Sequence, residues 1–305
     1  MGDRTSIEWT EASWNPIRAR KHGHKGELGW HCEILTPGCE HCYAQTLNRR
    51  LGTGLPYLKT SRREADVFLD EKILIQPLHW RRPRRIFVCS MTDLFGEWVA
   101  DEMLDRTFAV MALCPQHTFQ VLTKRADRMR DYLSANKQLQ LFVIDRKNTQ
   151  HTIMSFPLPN VWLGVSVEDQ RRADERIPAL LDTPAAVRWV SAEPLLEPIT
   201  FRQCLYPVSD ENGPNPIIDR EALDWVVVGG ESGVGARPFN IEWARSIIAQ
   251  CRAAGVPCFV KQLGAKPEAE TRVMGDHIYD LHLHDRKGGD PSEWPEDLRV
   301  REYPA

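Results

Sequence analysis

Short apolar runs recur along this chain, and most are followed by a stretch with helical periodicity. Residues 85–90 precede residues 101–113, where Met103, Leu104, Phe108, Met111 and Ala112 recur at helical spacing. Residues 118–123 precede 125–133, residues 160–167 precede 170–181, and residues 224–228 precede 241–254. Residues 187–191 and 257–261 add two further runs. Strands alternating with helices predict βα units and a parallel sheet. Residues 7–10 alternate and predict a first strand, ended by the turn signal Trp14-Asn15-Pro16. About seven strands at even spacing favour an α/β fold of the (β/α) barrel or partial-barrel type over an open doubly wound sheet. Residues 142–159 and 204–221 break the alternation and read as insertions, and after Gly264 the pattern fades. The expected organisation is a barrel domain over residues 1–265 and a C-terminal arm over 266–305, packed on or near the barrel.

Between the first strand and a helix expected over residues 43–51 lies a loop with Cys32, Cys39 and Cys42, spaced C-x6-C-x2-C. The helix is expected to place Tyr43, Leu47 and Leu51 on one face. Three soft sulfur ligands suit zinc, copper(I) or an iron–sulfur cluster. A closed zinc site wants a fourth ligand, for which His24, His31 and His41 are the nearby candidates. A [4Fe–4S] cluster accepts three cysteines and leaves one iron open. A disulfide with a spare thiol, or an accidental cluster, are the remaining readings.

The strand ends carry a second signal. They read Ser90-Met91-Thr92-Asp93, Thr123-Lys124-Arg125, Ser166-Val167-Glu168-Asp169, Ser191-Ala192-Glu193-Pro194, Gly229-Gly230-Glu231-Ser232 and Lys261-Gln262. In a parallel barrel this is the catalytic end. Helix capping accounts for Asp169, but a lysine opposes the positive end of the following helix, so Lys124 and Lys261 ask for another role. The six ends together predict one polar, concave site. Lys124, Glu193, Glu231 and Lys261 are the candidate catalytic residues. Ser166, Glu168, Gly229 and Gly230 are candidates for holding a cofactor. The glycines would offer backbone amides to a carboxylate or phosphate, and the glutamates would take an ammonium group or ribose hydroxyls.

These segments resemble a phage- and prophage-associated three-cysteine-motif family of unknown function, itself similar to radical SAM enzymes. The matching stretches begin at Ile7-Glu8-Trp9-Thr10, pass through Thr36-Pro37-Gly38-Cys39-Glu40-His41-Cys42-Tyr43-Ala44 and the strand ends above, and close at Lys261-Gln262-Leu263-Gly264. The resemblance implies a radical SAM/TIM-type barrel, a [4Fe–4S] cluster on Cys32, Cys39 and Cys42, and S-adenosylmethionine as cofactor. It also implies an external electron donor such as flavodoxin or ferredoxin. The usual radical SAM spacing is C-x3-C-x2-C, so the first gap here is wider. The usual Gly-Gly-Glu lies near the second strand, whereas Gly229-Gly230-Glu231 is late. Asp93 is therefore the better candidate by position for the cofactor's methionine end.

Two function classes follow. One is a radical SAM enzyme acting on a nucleobase, nucleotide or nucleic acid. The other is a zinc- or iron–sulfur-containing nucleic-acid-binding protein without radical chemistry, using the basic stretches 18–25 and 81–85. The net charge of −3 confines any nucleic-acid affinity to such local patches. Residues 18–25 have no apolar periodicity and read as an exposed loop. No apolar run approaches membrane-spanning length and the first residues lack a signal-peptide core. The expectation is a cytoplasmic protein whose eight cysteines stay reduced.

Overall fold

A computed structural model describes residues 5–23, 28–135, 139–145, 148–154, 156–206, 221–233, 235–271 and 277–305. The fold is mixed α/β. Its main sheet has seven strands, and their order in the sheet is their order in the chain: Ala12–Trp14, Arg85–Val88, Thr118–Thr123, Val161–Ser166, Val187–Ala192, Trp225–Gly229 and Cys258–Gln262. That order is compatible with a partial (β/α) barrel. The chain divides into two compact units, residues 1–164 with 183–186, and residues 165–182 with 187–305.

In the first unit the strand Ala12–Trp14 pairs in parallel with Arg85–Val88, which pairs in parallel with Thr118–Thr123. The first strand thus lies just after the expected one and overlaps the expected turn only at Trp14, and residues 7–10 are not a strand. The reason is burial on both faces. Ala12, Ser13 and Trp14 are all buried, so they show no alternation to read. The Trp14 indole donates to the Ile73 carbonyl at 2.8 Å. The helices Asp101–Ala112 and Ala126–Ser134 follow the second and third strands.

A small antiparallel sheet places Ile17–Lys21 between Leu28–Gly29 and Ala65–Leu69. Much of the basic stretch is therefore a strand, not a loop. Ile17 and Ala19 face inward while Arg18 and Arg20 alternate with them, a period-two pattern hidden by its charges. Arg18 donates to the carbonyls of Gly29 and Leu28, both at 3.1 Å, and lies 4.4 Å from the Trp30 ring. Arg20 pairs with Asp66 at 2.7 Å. An antiparallel hairpin, Leu139–Asp145 with Asn148–Met154, overlaps the first expected insertion and begins three residues before it.

In the second unit Val187–Ala192, Trp225–Gly229 and Cys258–Gln262 pair in parallel. Asp169 caps the helix Gln170–Leu181, its Oδ1 accepting from the Arg172 amide at 2.7 Å. Asn240 caps Ile241–Ala254, which ends at Gly255 with φ of 69°. The C-terminal segment runs along the last strand. The Val260 amide donates to the Val300 carbonyl at 2.8 Å, the Glu302 amide to the Cys258 carbonyl at 2.9 Å, and Trp294 and Leu298 are buried. Most of the second expected insertion, 204–221, lies outside the described residues. Among the described residues no helix is long and apolar enough to cross a membrane.

Candidate metal centre and strand-end clusters

The cysteine loop belongs to the first unit and leads into the helix Tyr43–Leu51. Cys32 and Cys42 pack on a buried cluster of Trp30, Ala44, Tyr57 and Met91, and Cys39 ends the short turn Pro37–Cys39. All three thiols are free and partly exposed. The helix presents a different face from the expected one. Ala44 and Asn48 are buried, while Tyr43 and Leu51 are exposed. Asn48 explains the inversion. Its Oδ1 accepts from the amides of Trp30 at 2.9 Å and Thr53 at 3.3 Å, and its amide donates to Thr53 Oγ1 and the Leu55 carbonyl. A polar side chain with four bonds is as good a core residue as a leucine here. Gly29 is required beside it, because a Cβ there would lie 2.5 Å from Asn48 Oδ1.

Two cations act on the thiols. Burial pushes Cys32 far above the ordinary thiol range, Asp93 and the other two thiols add to the rise, and Arg125 opposes it. Burial likewise raises Cys42, against the amides of Gln45 and Ala44 at the helix start and the charge of Lys124. Both thiols are therefore protonated when nothing but protein surrounds them, and a bound cation must displace those protons. Within the same loop region the Trp30 indole N–H and the Thr36 hydroxyl are buried with no hydrogen-bond partner.

The second strand's end is tied to this loop. Cys89 adopts φ of 57°, a left-handed conformation that turns the chain sharply after Val88. Tyr43 then donates its hydroxyl to the Ser90 carbonyl at 2.7 Å, Tyr57 to the Met91 carbonyl at 2.7 Å, and Thr92 to the His31 carbonyl at 2.5 Å. Asp93 is buried and fully engaged. Its Oδ1 accepts from Thr123 Oγ1 at 2.6 Å and the Phe95 amide at 3.0 Å, and its Oδ2 from the Lys124 amide and Arg125 Nη1, both at 3.0 Å. Asp93 therefore joins two strand ends and aims Arg125, whose guanidinium lies 4.6 Å from the Trp98 ring. His31 packs edge-on to Trp98 at 5.0 Å and meets Glu33 at 3.4 Å. Burial pushes Glu33 up, but the hydrogen bonds from Arg62, at 2.6 Å, and from His31 outweigh it and hold the carboxyl below its ordinary range. His41 is exposed, and His24 lies outside the described residues.

The second unit gathers the other strand ends into ion pairs. Glu168 has no exposed side-chain surface and meets Arg176 at 2.9 Å, while Arg176 also donates to the Ser166 carbonyl at 2.6 Å. Arg237 donates from Nη2 to Glu231 Oε1 at 2.5 Å, and from its backbone amide and Nε to Oε2 at 2.8 and 3.2 Å. Glu193 pairs with Lys261 at 3.0 Å and accepts from Ser191 Oγ at 3.1 Å, and Ser166 Oγ donates to the Glu193 carbonyl. The bare backbone of Gly229 makes room for this carboxylate, since a Cβ there would lie 2.9 Å from Glu193 Oε1. Gly230 is filled in the same sense by the Leu263 carbonyl and the Phe239 side chain.

Of the residues expected in one site, Cys32, Cys39, Cys42, Asp93 and Lys124 come together in the first unit. Ser166, Glu168, Gly229, Gly230, Glu193, Glu231 and Lys261 lie in the second. Sequence reasoning passed over Arg125, Trp30, Tyr57, Arg176 and Arg237 as site residues. Arg125 carried a signal as the second cation in a row at a strand end, and Arg237 as part of an Arg237-Pro238 step shared with the resembling family. Among the described residues, no group of three or more His, Cys, Asp or Glu side chains is gathered closely enough to hold a metal ion as placed. The donor set nevertheless fits a sulfur-ligated cluster: three reduced thiols, two cations acting on them, and two buried N–H or O–H donors lacking an acceptor.

Residues 4–287 match the sequence model of a family described as protein of unknown function (DUF5131). No curated protein and no solved structure matches the chain.

Proposed function

We propose that this chain, which belongs to the DUF5131 family, is a radical SAM enzyme built on a partial (β/α) barrel, with Cys32, Cys39 and Cys42 holding a [4Fe–4S] cluster. The observation that carries the reading is the coincidence, around one loop, of free thiols, cations and unspent hydrogen-bond donors. Cys32, Cys39 and Cys42 would hold the cluster, which would supply the electron for reductive cleavage of S-adenosylmethionine and so the radical chemistry on the substrate. The thiolates carry negative charge once their protons are displaced, and Lys124 and Arg125 balance it. Trp30 Nε1 and Thr36 Oγ1 are donors suited to sulfur acceptors, and hydrogen bonds to sulfur tune such centres. Trp30, Tyr57 and Met91 keep water from the inner side of the loop. Asp93 positions Arg125. His31, as a zinc ligand, would first have to leave Glu33 and Trp98, which disfavours zinc.

The substrate belongs to the same proposal: a nucleobase, free or within a nucleic acid, reached in the cytoplasm. Arg81 and Arg82 are exposed, whereas Arg84 lies on Trp80 and the Arg85 backbone amide donates to Glu11. Any phosphate contact in this stretch therefore falls to the first pair. The kinship with radical SAM enzymes and the link to phages are part of this reading. Anaerobic protein incubated with dithionite and S-adenosylmethionine should release 5′-deoxyadenosine, and Cys42→Ala should not. A chain that keeps its iron and neither binds nor cleaves the cofactor would refute the radical assignment.

A further inference from the structure

Three adjacent strands of the second unit, Val187–Ala192, Trp225–Gly229 and Cys258–Gln262, run out side by side around Gly229. Val228 pairs with Val260 but Gly229 pairs with Gln262, so Lys261 is an extra residue in the ladder. A bulge breaks the alternation that would send Lys261 and Gln262 to opposite faces. Both side chains converge on the space that Gly229 leaves bare. Lys261 Nζ lies 3.0 Å from Glu193 Oε1, and a Cβ on Gly229 would lie 2.9 Å from that oxygen and 3.5 Å from Gln262 Cγ. Gln262 is 4% exposed, and its Nε2 donates to the Gly230 carbonyl at 2.7 Å, which fixes Oε1 as the other end of the amide. Glu193 Oε2 accepts from Ser191 Oγ at 3.1 Å. Glu193 Oε1 and Gln262 Oε1 are both buried, and among the described residues nothing donates a hydrogen bond to either. The Lys261 ammonium offsets the charge of the carboxylate without donating to that oxygen. Charge is balanced here, while two acceptors are unspent.

Buried acceptors without donors are costly, and a ligand that brings two donors recovers that cost. The ligand must also offer an acceptor to the ammonium. A guanidinium or alkylammonium group brings donors, but it sets a second cation against Lys261. The pairing edge of adenine or cytosine has one donor group, and that of uracil has a single N–H between two carbonyls. Guanine alone carries N1–H and a 2-amino group side by side, with O6 as the neighbouring acceptor, and it is neutral. A single water would satisfy both oxygens too, but it would discriminate no nucleoside.

We propose that Glu193, Gln262 and Lys261 form a guanine-reading site. Glu193 Oε1 accepts from N1–H, Gln262 Oε1 accepts from the 2-amino group, and Lys261 donates to O6. Entry asks only that the ammonium leave an oxygen to which it makes no hydrogen bond. The Lys261 and Glu193 side chains, 17% and 12% exposed, are the reachable edge of the site. Binding of this kind needs no cluster. That the guanine held here is the base modified by radical chemistry rests on the proposed function.

The test measures binding of guanosine to the full chain by calorimetry, beside inosine, xanthosine, adenosine, cytidine and uridine. Nucleosides carry no phosphate, so the basic stretches add nothing to the comparison. Guanosine should bind at least about tenfold tighter than inosine, which lacks only the 2-amino group. Gln262→Leu should remove that preference. Glu193→Gln has the same shape, and its amide can donate to the carbonyl that xanthine carries in place of the amino group. The guanosine-to-xanthosine affinity ratio should therefore fall at least about tenfold in this variant. A purely structural ion pair would lose stability on the same substitution and leave the ratio where it was. The ratio is read on whatever fraction folds, so lost stability does not obscure it. Cys42→Ala should bind guanosine within about twofold of the parent. Guanosine binding without release of 5′-deoxyadenosine would sink the radical reading and keep the site, and release without guanosine binding would do the reverse. No binding at about 1 mM guanosine, equal affinity for all six nucleosides, an unchanged ratio in Glu193→Gln, or displacement of guanosine by free methionine would overturn the site.

Discussion

The polar strand ends of the two units look alike in sequence and differ in what their charges are doing. In the second unit each carboxylate meets a cation of the same unit: Glu168 with Arg176, Glu231 with Arg237 and Glu193 with Lys261. Charge there is internally closed. In the first unit Lys124 and Arg125 act on thiols that burial keeps protonated, and two buried donors have nothing to donate to. There Arg125 is paired with Asp93, and what remains open around the cysteine loop is hydrogen bonding, at Trp30 Nε1 and Thr36 Oγ1. A polar residue at a strand end is thus two different signals, a brace or a ligand, and only its partners separate them.

The contrast breaks most directly at Glu168. Glu168→Ala leaves Arg176 buried without its carboxylate, which should cost about 3–5 kcal/mol in a denaturant titration. Iron content per folded chain should not change. A loss of iron without a loss of stability would show that Glu168 belongs to the ligand side and that the division is wrong.

Next in size is Asn48→Ala. It strands the Trp30 and Thr53 amides and the Leu55 carbonyl, at about 2–3 kcal/mol. Because Trp30 carries one side of the thiol cluster, iron retention should fall as well, measured as iron per chain after desalting. Tyr57→Phe removes one hydroxyl bond to the Met91 carbonyl and should cost about 1–2 kcal/mol. Cluster absorption should shift more than stability does, since Met91 and Tyr57 pack against Cys32 and Cys42. Equal changes in both would make the clasp a purely structural device.

The smallest effect concerns pH. Burial holds His117 below its ordinary 6.5, outweighing the carbonyls of Pro77 and Trp80 that favour its charged form. Its unfolded form binds the proton more readily, so the stabilisation present above pH 6.5 is lost as pH falls from there through the folded value. His117→Gln should flatten that part of the stability–pH curve, and iron binding should be indifferent to it. An unaltered curve would remove His117 from the account.

Much of the fold was legible because short apolar runs and helical spacing alternate along the chain. The strand Thr118–Thr123 and the helices Gln170–Leu181 and Ile241–Ala254 fall where the spacing puts them. Ala12–Trp14 was hidden because all three side chains are buried, and Ile17–Lys21 because its alternation is written in arginines. The three cysteines were legible as a group because their spacing is local. The closed character of the second unit was not, because Glu168 and Arg176, or Glu231 and Arg237, are separated by eight and six residues at no spacing that marks a pair. Nor did composition reveal that the helix after the loop turns Asn48 inward and Tyr43 outward. That choice depends on Trp30, Thr53 and Leu55 meeting one amide.

The central claim is that Cys32, Cys39 and Cys42 of the first unit hold an iron–sulfur cluster, beside two buried donors that have no acceptor. Iron, sulfide and zinc analysis of anaerobically purified protein, beside single Cys32→Ala, Cys39→Ala and Cys42→Ala variants, tests it most directly. The account predicts about four irons and four sulfides per chain, lost in each variant and kept in Cys114→Ala and Cys251→Ala. Stoichiometric zinc, or iron that survives all three loop substitutions, would contradict it.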